Sequence, residues 1–97
     1  MSYVSGNGRK VVTSAGTDEA LGGNVPCEEV IVTAETDNTG VIAVGVEGVI
    51  ASLSTRTGVP LAAGASVTVA TNNLNKIWID STVSGDGVTY LYTGVNL

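Results

Sequence analysis

Apolar and polar residues alternate in short runs along most of this chain, and no stretch carries the three-to-four spacing of an amphipathic helix. The clearest run is 27–35, where Val30, Val32 and Ala34 alternate with Ile31, Thr33 and Glu35. That is the two-residue period of a strand with one buried face. Further short apolar segments lie at 10–15, 19–21, 41–46, 49–53, 65–70, 75–82 and 88–93. Between them stand Gly, Asn, Asp and Ser, which supply the left-handed or self-bonded backbone of turns. The sequence Thr36-Asp37-Asn38-Thr39-Gly40 predicts a hairpin joining 27–35 to 41–46, and Pro60 within Val59-Pro60-Leu61 predicts an edge strand or loop. About seven or eight short strands at intervals of about 8 to 12 residues predict an all-β fold, an antiparallel β-sandwich or a jelly-roll-like small barrel. Residues 1–9, with Gly6 and Gly8 and little apolar pattern, read as a flexible N-terminal arm ahead of a single β-domain over 10–97.

The last two segments allow a finer expectation. Paired through an even loop at 84–87, they place Ile77, Ile79, Val83, Val88, Tyr90 and Tyr92 on a core face. Trp78, Asp80, Thr82, Thr89, Leu91 and Thr93 fall on the other face. A Trp beside a Leu on a polar sheet face has the composition of an interface anchor, so Trp78 and Leu91 are candidates for an oligomer interface.

Composition supports the strand reading. Hydrophobic residues make up 43% of the 97 residues and are mostly Val, Ile and Ala, whereas charged residues make up only 13%, about half of the ordinary share. Four cations against nine acids leave a net charge of −5, which opposes counterion-driven binding to nucleic acid. No apolar run reaches the length of a membrane span or resembles the core of a signal peptide. Cys27 is the single cysteine, reads as a small buried hydrophobe and suits a reducing compartment.

Candidate chemistry is sparse. The chain has no His, which removes imidazole catalysis and the commonest transition-metal ligand. A carboxylate pair for glycoside hydrolysis needs a cleft that a chain this short has little room to build. Asp37, Asn38 and Asp86 sit in Gly-flanked turns and read as turn-forming residues; calcium wants more oxygens than each turn offers. The expectation is a non-enzymatic protein with no cofactor and no metal.

Several segments together resemble small proteins encoded among phage and prophage head genes. They are Val12-Thr13-Ser14-Ala15-Gly16-Thr17, then Val25-Pro26-Cys27 leading into 30–34, and Asp37-Asn38-Thr39-Gly40 followed by Ile42-Ala43-Val44-Gly45. Gly58-Val59-Pro60-Leu61-Ala62-Ala63-Gly64, residues 73–80 and Gly85-Asp86-Gly87-Val88-Thr89-Tyr90 complete the set. The pattern is similar to virion structural proteins of the capsid decoration, cement or head-fibre type. The resemblance implies a homodimer or homotrimer that binds the major capsid protein on the outside of the head and stabilises it. It also implies assembly in the bacterial cytoplasm and a place on the virion surface, with neither nucleic acid nor membrane as partner. Tyr3, Val4, Arg9 and Lys10 of the N-terminal segment are the candidate capsid contacts. The alternative is a carbohydrate- or receptor-binding β-sandwich module of a phage fibre or tail, with Trp78 as the ligand platform.

Overall fold

A computed structural model describes the backbone of residues 2–96 and the side chains of 4–94. It contains eight strands: β1 (Ser2–Val11), β2 (Glu19–Ala20), β3 (Glu29–Ala34), β4 (Ile42–Gly45), β5 (Val59–Leu61), β6 (Ser66–Ala70), β7 (Trp78–Ser81) and β8 (Gly87–Asn96). One turn of 3₁₀ helix, Leu74–Lys76, leads into β7 and is capped by the Asn73 side chain accepting from the Asn75 N–H.

The strands form two antiparallel four-stranded sheets, β1-β8-β3-β6 and β2-β7-β4-β5. Within them β1 pairs with β8, β2 with β7, β3 with β6 and β4 with β5. The chain therefore runs out and back as one long ribbon whose tip is the β4–β5 connection. Rolling that ribbon adds the β8–β3 and β7–β4 pairings. This is the strand order of a jelly roll, with two sheets packed face to face and not closed into a barrel.

The core lies between the sheets. Val30 and Val32 of β3 and Val88 of β8 face Ile42 and Val44 of β4, Leu61 of β5 and Ile79 of β7. Leu21, Leu74 and Ile77 fill one end of this cluster. Tyr90 and Tyr92 close the β1 side, and the expected alternation in β3 holds along the strand.

Several expectations are corrected. Residues 2–9 are not a flexible arm: they belong to β1, which pairs with β8 in ten consecutive registers. Gly6 and Gly8 serve packing, because a Cβ on either would run into the ring of Tyr92 or Tyr90 lying across it. Strands β3 and β4 form no hairpin, and neither do β7 and β8; each pair steps across the core into opposite sheets. The turns at 36–40 and 82–86 are held against each other instead. Asp86 accepts from the Thr39 and Gly40 N–H groups, while the Asn38 side chain both donates to and accepts from the Gly87 backbone. Val83 is consequently exposed rather than in the core. Residues 49–53 are loop, not strand, although Val49 and Ala51 are buried. Val59–Leu61 is an edge strand, as Pro60 predicts.

Candidate functional site: the outer faces and edges of the sandwich

The two outer faces differ. On the β2-β7-β4-β5 sheet, Ala43 and Trp78 point outward but are covered by Val49 and Ala51 of the 46–58 loop. Asp80, expected on a solvent face, is 1% exposed beneath the same cover. Its two oxygens accept from the Gly16 N–H at 3.0 Å and the Ala51 N–H at 2.8 Å, tying two loops onto the sheet. Asp18 accepts from the Gly48 N–H at 2.7 Å, and Arg56 donates to the Ala51 carbonyl at 2.9 Å. The loop bends tightly at Gly58, whose φ of 78° and close approach to the Val44 carbonyl leave no space for a side chain.

The outer face of the β1-β8-β3-β6 sheet carries no such cover among the described residues. Register places Asn7, Leu91, Ile31 and Thr68 in one cross-strand row, flanked by Arg9, Thr89, Thr33 and Ser66 on one side. Leu91 is 45% exposed and Ile31 37% exposed, side by side at the middle of a Thr- and Ser-rich surface. A shallow trough runs between them and Arg9.

The sequence candidates divide accordingly. Leu91 lies on this open face. Trp78 lies on the other sheet, half-buried, with its indole N–H donated to the Asn75 carbonyl at 3.1 Å. The pair therefore forms no joint anchor, because β7 and β8 belong to different sheets. A stacked sugar would also have to displace the loop that packs on Trp78. Arg9 leans over Gly87 to Glu35, with ion-pair contacts at 2.6 and 3.0 Å that hold its guanidinium above its ordinary pKa. Lys10 reaches Glu19 at 3.1 Å. The Glu19 carboxyl is held below its ordinary pKa, chiefly by the Thr13 backbone N–H and also by Lys10. Both basic candidates are thus engaged within the chain. Val4 is 40% exposed where the β1–β8 ribbon runs past β3. Tyr3 contributes its backbone to β1, and its side chain lies outside the described residues.

Ile31 is the outer-face residue that the sequence reading passed over. Its signal was present: a large apolar side chain on the polar phase of the strongest alternating strand. Burial alone raises the pKa of the Cys27 thiol, which donates to the Thr71 carbonyl. Among the described residues no three His, Cys, Asp or Glu side chains cluster as metal ligands, and no helix is long and apolar enough to cross a membrane. Compared with models of protein families, with curated proteins and with solved structures, the chain matches none.

Proposed function

We propose that this chain is a virion structural protein of the capsid decoration or cement type, which binds the outside of an assembled phage head and stabilises it without catalysing a reaction. The observation that carries the reading is the contrast between the faces. Loops roof one sheet and themselves expose Val46, Ile50 and Leu53, whereas Leu91 and Ile31 stand open directly on the strands of the other within a hydroxyl-rich surround. That is the anatomy of a docking surface, an apolar middle with a polar rim. The sequence resemblance over roughly residues 12–92 supplies the partner, the major capsid protein. A small protein that binds the assembled shell but not its free subunits stabilises the shell by mass action, and many copies multiply a modest contact. The acids are largely spent on structure, since Asp18, Asp80 and Asp86 accept from backbone N–H groups while Glu19 and Glu35 hold the two β1 cations.

The test is co-sedimentation of the purified chain with assembled phage heads built from a major capsid protein. Saturable binding is expected, with the heads disrupting at a higher temperature. Leu91→Asp and Ile31→Asp should each weaken binding about tenfold or more while leaving the circular dichroism of the chain unchanged, because both side chains are replaced on an open surface. Failure of the unmodified chain to sediment with heads would overturn the proposal.

A further inference from the structure

We infer that the free edge of β1 is a self-association seam, along which a second copy of this chain pairs antiparallel and two-fold symmetric about Asn7. The inference deepens the assembly reading above, on which it rests for its purpose, by naming the partner and the surface.

An unpaired strand edge is a template for another strand unless it is short, kinked, charged or interrupted by proline. Three of the four sheet edges are protected in this way or are short. β2 has two residues, β5 has three and contains Pro60, and β6 has five. β1 has ten residues, pairs with β8 without a bulge and contains no proline. Its two charges do not guard it, because Arg9 is drawn to Glu35 and Lys10 to Glu19. Gly6 and Gly8 leave the backbone open to close approach from the side, with Tyr92 and Tyr90 filling the space beneath them.

The hydrogen-bond phase sets the register in which a second copy pairs along the whole of β1. The Val12 N–H points to Asp86, while Gly87 and Thr93 of β8 accept from Glu35 and Glu28 on the β3 side. Even-numbered residues of β1 therefore turn their backbone groups towards β8, and Tyr3, Ser5, Asn7, Arg9 and Val11 turn theirs outward. This outward set is symmetric about its own centre. In an antiparallel pair of copies, Asn7 exchanges hydrogen bonds with Asn7 of the second copy, Ser5 with Arg9, and Tyr3 with Val11. Gly6 meets Gly8, so no side chains collide on the inner face at the centre, while the two Asn7 side chains stand opposite each other on the outer face. The two Arg9 residues are offset by about 13 Å along the seam, beyond the reach of strong repulsion at physiological salt. The product is one continuous eight-stranded sheet, and its outer face presents two Leu91–Ile31 patches side by side.

The test is light scattering after size exclusion at tens of micromolar protein. A mass of twice 9.7 kDa is expected. Asn7→Pro removes an outward N–H while leaving the pairing to β8 intact, and should give a folded monomer by circular dichroism. In a Cys27→Ser background, Asn7→Cys should oxidise to a linked dimer at least about tenfold faster than Ser5→Cys, because only the residue on the two-fold meets its own copy within disulfide reach. A monomer at this concentration, a dimer that Asn7→Pro leaves intact, or equal cross-linking from both cysteines would each overturn the seam. A monomer that still sediments with heads removes the seam and leaves the decoration role standing; a β1-linked dimer that ignores heads does the reverse.

Discussion

At the scale of single residues, the buried acids determine how the loops are held. Asp80 combines near-complete burial with two short bonds from backbone N–H groups on two separate loops. Replacing it with Ala leaves both donors without an acceptor, and Asp80→Ala is expected to cost about 2–4 kcal/mol. That is a large part of the stability of a domain of this size. Urea unfolding followed by circular dichroism checks it, and a loss under about 0.5 kcal/mol would remove Asp80 as the anchor of the two loops. Pattern reading assigned Asp80 correctly to the outward phase of its strand. Its burial was not legible, because the cover comes from residues 13–17 and 46–58, far away in the chain. The sequence marks Cys27 as a small buried hydrophobe, and the structure leaves it only partly buried, packed against the core.

Secondary-structure elements show where local chemistry succeeds and where it stops. The alternation of β3, the edge position of β5 and the extent of β6 follow from residue types that act within a few positions of one another. β1 was not legible as a strand, because Gly6 and Gly8 have low intrinsic strand preference and carry no side chain to display a period. Their preference is overridden by two aromatic rings from β8, a long-range compensation for the missing side chains. Gly6→Val or Gly8→Val should therefore destabilise the fold by about 1–3 kcal/mol, despite raising local strand propensity. Thermal unfolding of each variant checks this: a rise in Tm would show that Tyr90 and Tyr92 do not need the glycines.

For the whole molecule, the rolled ribbon makes folding depend on contacts that are distant in sequence. β1 pairs with β8 and β2 with β7, so most loop-closure entropy must be overcome before the core forms. Refolding is expected on the millisecond-to-second scale of all-β domains, and stopped-flow fluorescence of Trp78 checks it; completion within about 100 microseconds would contradict it. By itself the sequence determined the all-β class, the approximate number of strands, most turn positions and the absence of imidazole chemistry, because each follows from residue types or from spacing within a few residues. Tertiary structure alone decided which sheet each strand joins, that Trp78 is covered while Leu91 and Ile31 stay open, that Arg9 and Lys10 are engaged, and that β1 offers a free edge. The physical reason is that a turn specifies where the chain reverses, whereas crossing the core or pairing beside it is settled by burial and by bonds between residues far apart in sequence.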